Sequence, residues 1–256
     1  MAGMTSPPAH VTGRIAAVLR ALSTCQDRGA STSRLARLTG LARPTVHRLL
    51  VTLAGEGYVD RDQRDGLWFL GPELYLLGEV AAQRYDVTRH ARAAVHRLAV
   101  ATGESAFFSA RRGDETVCLV REDGDFPIRS FVLYEGARFP LGVVSAGLVV
   151  LAMLPEEEID AYLDRVDLTV HWGPSHAAGE IRERIARTRQ TGYSVNPGLV
   201  VEGSWGMAAA VFGRSGEPAW ALTLTGVESR FRTDRRPELG ALLLKEAHAL
   251  TRTLRA

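Results

Sequence analysis

The tightest constraint on this chain lies in its first seventy residues, where three helical patterns in succession are closed by a hairpin signal. From about Arg14 to Cys25, Ile15, Val18, Leu19 and Leu22 recur at i, i+3, i+4 and i+7. That spacing is one apolar stripe of an amphipathic helix. Gly29 ends the connection to a shorter helix, from about Ser33 to Thr39. Thr32 is placed to cap it, Leu35 and Leu38 face inward, and Gly40 stops it. Leu41-Ala42-Arg43 makes a tight turn, and a third helix starts at Pro44. Proline suits a first helical turn because its missing N–H would be unpaired there. Val46, Leu49, Leu50 and Leu53 form the buried stripe, while Arg43, Thr45, His47 and Arg48 lie off it near the helix start.

This order is the geometry of a helix-turn-helix, whose last helix enters the major groove by its first turns. A helix N-terminus also favours a phosphate oxygen. Gly55 and Gly57 close the third helix. Tyr58–Arg61 and Leu67–Leu70 then read as two strands, with Asp65-Gly66 as the hairpin signal between them. A hairpin in that place is a wing, and it turns Arg61 and Arg64 toward sugar-phosphate or the minor groove. The expected DNA-contacting residues are therefore Thr32, Arg43, Thr45, His47, Arg48, Arg61 and Arg64. A plain three-helix core that happens to carry arginines is the competing reading. The wing, the turn spacing and the polar start of the third helix speak against it.

Charge supports the first reading. The formal net charge is only +2 over 256 residues, but residues 1–70 hold nine Arg against five acids, and the remainder holds 22 basic against 24 acidic residues. A basic head on a mildly acidic body is a nucleic-acid footprint, although a solvated basic face explains the same count. Of the 31 basic residues only Lys245 is a lysine, and Leu244 precedes it. A Walker A loop needs Gly-Lys-Ser/Thr, so phosphate-loop nucleotide hydrolysis is excluded. Cys25 and Cys118 are too few for a disulfide framework or a cysteine-rich zinc site. His171 and His176 flank Trp172-Gly173-Pro174 with no cysteine nearby, and read as an exposed loop rather than a metal site. No nucleophile elbow, zinc-protease motif or dinucleotide fingerprint occurs. No catalytic set, metal or cofactor is expected. Met1–His10 has no secretory pattern, and the apolar stretch Leu141–Leu154 is short of the roughly 20 residues of a spanning helix. A soluble cytoplasmic protein with no membrane contact is expected.

From Asp86 the pattern is mixed. Helices are expected at 88–102, 145–153, 156–165, 179–191 and 236–254, and strands at 105–110, 116–121, 128–134, 207–212 and 219–225. Trp220, Leu222 and Leu224 alternate with Ala221, Thr223 and Thr225, giving one apolar face and one smaller, hydroxyl-bearing face. This half is α+β and large enough for its own core. Between the halves, Pro72 to Arg84 reads as a helix with Leu74, Leu76, Leu77, Val80 and Ala81 on more than one face. Such a helix suits burial against a partner, or the core of one subunit.

The residues now on the page resemble a known family, the IclR-type transcriptional regulators. The resemblance rests on Ser33 to Leu50, Leu53-Ala-Gly-Glu-Gly-Tyr58 and Phe69-Leu-Gly-Pro72. It continues more weakly through Leu154-Pro-Glu-Glu-Glu158, Ile181 to Tyr193, Gly203 to Phe212 and Leu222 to Gly226. Residues 1–12, with Pro7-Pro8, read as a disordered tail, and the resemblance implies a winged helix-turn-helix domain after it (13–71). A linker helix (72–85) would lead to a GAF-like α/β effector-binding and oligomerisation domain (86–256). It implies a homodimer or homotetramer on pseudo-palindromic double-stranded DNA, controlled by a small organic effector such as an aromatic acid. Carried over by position, the effector-binding residues are Ser145, Ala146, Asn196, Trp205, Gly206, Thr223 and Thr225. Gly142 and Leu148 stand where the family usually has a His and a Lys. With Gly206 leaving room and Trp205 adding aromatic surface, a larger or more apolar effector than a two- or three-carbon acid is expected. Two other readings remain: a small-molecule enzyme built on the second half, and a regulator that needs no ligand.

Overall fold

The computed structural model describes residues 10–25, 28–84 and 87–255. The chain divides into two units, Met1–Tyr85 and Asp86–Ala256.

The first unit holds α1 (Val11–Ser23), α2 (Thr32–Thr39), α3 (Arg43–Gly55), β1 (Val59–Arg61), β2 (Trp68–Leu70) and α4 (Pro72–Arg84). Val18, Leu22, Leu35, Val46, Leu50, Val59 and Trp68 share one core, as the helical spacing requires. β1 and β2 pair antiparallel, Asp60 opposite Phe69. Ala30 and Trp68 exchange backbone hydrogen bonds of 3.0 and 2.9 Å, which ties the hairpin to the connection ahead of α2.

Three expectations are corrected here. Val11 and Thr12 form the first turn of α1 and do not belong to a tail; residues 1–9 lie outside the described residues. Ser31, not Thr32, caps α2: its extended backbone lets Oγ accept the Arg34 N–H at 3.3 Å. Leu38 is exposed, because Gly40 at φ +67° swings the chain so that Leu41 enters the core instead.

The second unit is three layers. A six-stranded antiparallel sheet has the order β5-β4-β3-β8-β7-β6, from β3 (Ser105–Arg112), β4 (Glu115–Glu122), β5 (Arg138–Pro140), β6 (Tyr193–Pro197), β7 (Ser204–Phe212) and β8 (Pro218–Val227). One face packs Phe108, Met207, Leu222 and Leu224 against α5 (Val87–Thr102) and α10 (Arg236–Arg255). The other presents Ala208, Ala210 and Ala221 to α6 (Ser145–Ala152), which is buried on every side. Small residues on that face let the α6 backbone approach the sheet, and a helix buried all round is apolar all round. α7 (Glu156–Arg165), α8 (Thr169–Trp172) and α9 (Ala178–Thr191) complete that layer.

The expected strand 128–134 is irregular chain: Ile128 and Phe131 are exposed and Leu133 is buried, and the sheet edge is taken by β5. β6 was not expected, because its inward residues are Ser194 and Asn196 and carry no apolar alternation. His176 does not sit in an exposed loop. It is 1% exposed in a 3-10 turn, Pro174–His176, that follows α8.

Candidate nucleic-acid interface and ligand site

α3 turns Val46, Leu50 and Leu53 into the core and leaves Arg43, Pro44, His47, Arg48 and Val51 exposed. Residues 44, 48 and 51 lie opposite the buried stripe, His47 beside them, and Arg43 and Thr45 on the flanks. Thr45 is half-buried. The α3 N-terminus offers little to a phosphate. Pro44 has no N–H, and Ala42 O takes those of Thr45 and Val46 at 2.9 and 3.1 Å. Recognition along this helix therefore falls to side chains. Val51, which sequence reasoning missed, is an exposed apolar group of the kind that meets a thymine methyl.

Neither α2 nor α3 contains an acid, and Arg34 and Arg37 of α2, like Arg43 and Arg48 of α3, are exposed. The hairpin differs: Arg61 and Arg64 share it with Asp60, Asp62 and Asp65. Arg61 lies back on its own hairpin, its guanidinium 5.4 Å from the Trp68 ring centre and Nε 3.5 Å from Gly66 O. Arg64 sits at the tip, where Asp62 Oδ1 accepts its backbone N–H at 2.6 Å and leaves the side chain outside. The Thr32 hydroxyl accepts the Trp68 indole N–H at 3.1 Å, so it serves to hold the wing.

In the second unit, the α6 end of the sheet gathers polar groups on a buried face. The register sets Thr225 opposite Gly206 and Ser105, and Thr223 opposite Ala208 and Phe107. Thr223 and Thr225 are 0% and 5% exposed, and neither hydroxyl has a hydrogen-bond partner among the described residues. Buried hydroxyls are normally paired, so two orphans side by side on one strand need an explanation. Ser145 and Ala146 open α6, which no side chain caps, and the first intrahelical bond runs from Leu148 N–H to Val144 O at 2.9 Å. The N–H groups ahead of it and the helix dipole favour an anion.

Three of the residues carried over by position behave differently from expectation. Trp205 belongs to the opposite face of the sheet, against the α5 and α10 core, with the Arg236 guanidinium 4.6 Å from its ring centre. Strict alternation along β7 forces this once Gly206 faces α6. Gly206 leaves no free room: a methyl added there would stand 2.9 Å from Ser145 Oγ, which fills the space. Neither residue therefore enlarges this face or adds an aromatic wall to it, and the expectation of a larger effector is not met. Asn196 has both ends of its amide engaged by backbone, Nδ2 donating to Val143 O at 2.7 Å and Oδ1 accepting from Leu199 N–H at 3.0 Å. It positions the turn before α6. Ser194, unforeseen, does the same by donating to Ser145 O at 2.7 Å.

His176 supports that turn from the other side. Its Nδ1 is 2.9 Å from Trp172 O and its Nε2 3.3 Å from Val143 O. Burial holds its pKa below the ordinary histidine range, against the pull of the two carbonyls. The buried Cys118 thiol is pushed up to about 12, mainly by burial, which leaves no thiolate for nucleophilic chemistry.

A winged helix-turn-helix joined to an α/β unit is the plan of a DNA-binding transcriptional regulator. The IclR helix-turn-helix domain model matches residues 11–63, and the model of the bacterial transcriptional regulator IclR C-terminal region matches residues 79–252. The chain belongs to the IclR family of bacterial transcriptional regulators. It is 27% identical to the HTH-type transcriptional regulator KipR of Bacillus subtilis over 208 residues, 81% of this chain and 82% of that protein. It is 26% identical to the transcriptional repressor IclR of Escherichia coli over 253 residues, 95% and 91% of the two. Both are regulators of transcription and not enzymes. The fold matches an IclR homologue of Microbacterium hydrocarbonoxydans complexed with 4-hydroxybenzoate, with TM-score 0.75 and 22% identity over 94% of this chain and 98% of that one. Among the described residues no helix is long and apolar enough to cross a membrane, and no group of three His, Cys, Asp or Glu is placed to hold a metal ion.

Proposed function

We propose that this DNA-binding regulator is controlled by a small organic acid held between the α6 N-terminus and the paired hydroxyls of Thr223 and Thr225. The carrying observation is those two buried hydroxyls without partners, on the sheet face that the uncapped helix start overlies. A carboxylate accepts from the N–H groups of Ser145 and Ala146 and from both hydroxyls, which satisfies every group at once. The 4-hydroxybenzoate complex of the Microbacterium homologue favours an acid, aromatic acids included.

On the DNA side, Arg43, His47, Arg48 and Val51 of α3 read base edges in the major groove. Arg34, Arg37 and the wing-tip Arg64 meet phosphates, and Thr45 lines the flank. Arg61 and Thr32 steady the wing. The operator is pseudo-palindromic and the protein binds it as a homodimer or homotetramer. The support for self-association is α4, which leaves Tyr75, Leu76, Leu77 and Val80 between 51% and 68% exposed. The acid biases operator affinity through its differential affinity for two states of the oligomer.

Calorimetric titration with 4-hydroxybenzoate, pyruvate and acetate, followed by duplex binding with and without each acid, tests this reading. Saturable binding of at least one acid, weakened in Thr225→Val and accompanied by a shift in operator affinity, is expected. Operator binding that no acid alters would make the protein a regulator that needs no ligand.

A further inference from the structure

The sheet face opposite the proposed effector site carries its own concavity. A cleft of about 330 Å³ runs between α5 and α10, with the exposed Arg89, His90, Ala93 and Arg97 on its rim and the buried Ala94 and Leu250 along its floor. Its charge is one-sided. α5 holds Arg89, Arg92, Arg97, His90 and His96, and no acid. α10 adds Lys245, His248, Arg252 and Arg255 over its second half, where Glu246 is the one acid.

That acid is already committed. Arg97 donates to Glu246 Oε2 through Nε at 3.0 Å and through a terminal nitrogen at 2.7 Å. Arg89 and His90 have no acidic partner among the described residues. The mildly acidic second unit thus carries a basic helical layer, of which Arg89, His90 and the Glu246-paired Arg97 line the apolar floor, while His96 pairs with Glu122 outside the cleft. A flat array of cations would suit a polyanion. A concave one with an apolar floor suits a small molecule with one anionic end, and the volume is at the lower end of the ligand-pocket range.

We infer that the α5–α10 cleft is a second small-molecule site, for an amphiphilic monocarboxylate. The carboxylate accepts from Arg89 and His90 in charge-assisted hydrogen bonds, and the aromatic or aliphatic body lies on Ala94 and Leu250. This site is separate from the α6 site, because the whole thickness of the sheet and its two cores lies between them.

Benzoate is the probe, with benzyl alcohol as its uncharged counterpart, on full-length Thr225→Val protein in which the α6 site is weakened. One saturable benzoate site is expected, weakened at least tenfold by Arg89→Ala and by high salt, with no saturable benzyl alcohol binding. Ala93→Gln, which fills the cleft from its exposed rim, is expected to block benzoate without changing the melting temperature. Absence of saturable benzoate binding in Thr225→Val overturns the inference. So does binding indifferent to both Arg89→Ala and Ala93→Gln. Loss of duplex affinity in Arg89→Ala with benzoate binding intact would assign the basic layer to nucleic acid instead, and would overturn it too. Wild-type benzoate binding confined to the cleft would leave this inference standing and remove the α6 reading.

Discussion

The two units place function on opposite sides of their surfaces. In the first unit the core is apolar, and the side chains proposed to meet DNA, Arg43, His47 and Arg48, are exposed and outside it. In the second unit the groups proposed to hold a ligand, Ser145, Thr223 and Thr225, are nearly as buried as the leucines around them. Stability and recognition are therefore separable in the first unit and share residues in the second. Substitutions test that contrast directly.

The largest effect is expected in the first unit's core. Leu50 is 0% exposed and sits where α3 meets the other helices. Leu50→Ala removes buried methyl groups and leaves a cavity, costing about 2–5 kcal/mol. Differential scanning calorimetry should show the first unit melting earlier, with duplex binding lost at temperatures where the second unit is still folded. A single transition shifted as a whole would break the separation between the units.

Next comes Arg48→Ala on the exposed face of α3. A bidentate base contact is worth about 1–3 kcal/mol, so operator affinity should fall roughly five- to 150-fold with the melting curve and oligomer unchanged. Affinity at moderate salt that stays at the wild-type value would remove Arg48 from the reading set.

The same contrast explains what was legible in the sequence. An amphipathic stripe such as Val46, Leu50 and Leu53 states at once which side chains are buried and which are free, so both the core and the exposed face of α3 followed from periodicity. The errors in the first unit were local competitions: Ser31 against Thr32 for the cap, Leu41 against Leu38 for the core. They are decided by backbone angles that spacing does not encode. The second unit's site depends on which strands are neighbours. Thr225 meets Gly206 only because β8 pairs with β7, and Ser145 overlies Gly206 only because α6 crosses that pair. Position-by-position transfer named Thr223 and Thr225, which share the face toward α6 with Gly206, but took Trp205 along with them, although adjacent strand residues face opposite sides. That error was avoidable from the period of two alone. β6 escaped notice because its inward side chains are polar, and their hydrogen bonds to the α6 turn are what make them acceptable inside.

Thr225→Val probes the shared residues of the second unit. Removing an unpaired buried hydroxyl while keeping its shape should leave stability unchanged or raise it by about 1 kcal/mol. The same change should weaken acid binding about tenfold by deleting one hydrogen bond to a charged group. Opposite signs in melting temperature and acid affinity would mark this residue as held for a ligand. A drop in both would mean that the hydroxyl supports the fold.

The smallest expected effect concerns pH and the turn before α6. His176 is kept below its ordinary pKa, chiefly by burial, so the unfolded chain takes up a proton at a higher pH than the folded one. Its contribution to stability is then fully present above the ordinary histidine value of 6.5 and is lost as pH falls from there toward the depressed folded value. The neutral ring donates through one nitrogen only, and Val143 O, the carbonyl shared with Asn196, is among its neighbours. Arg184 disfavours a second charge beside it. His176→Gln keeps an amide donor near those carbonyls without a titrating group. Melting temperatures at about pH 7.5 and about pH 5.5 should therefore differ less in the variant than in the wild type. Because the turn carries the N–H groups of Ser145 and Ala146, acid affinity in the wild type should weaken over the same pH fall more than in His176→Gln. Equal pH dependence in the two proteins would detach His176 from the site and leave Asn196 and Ser194 as the groups that hold the turn.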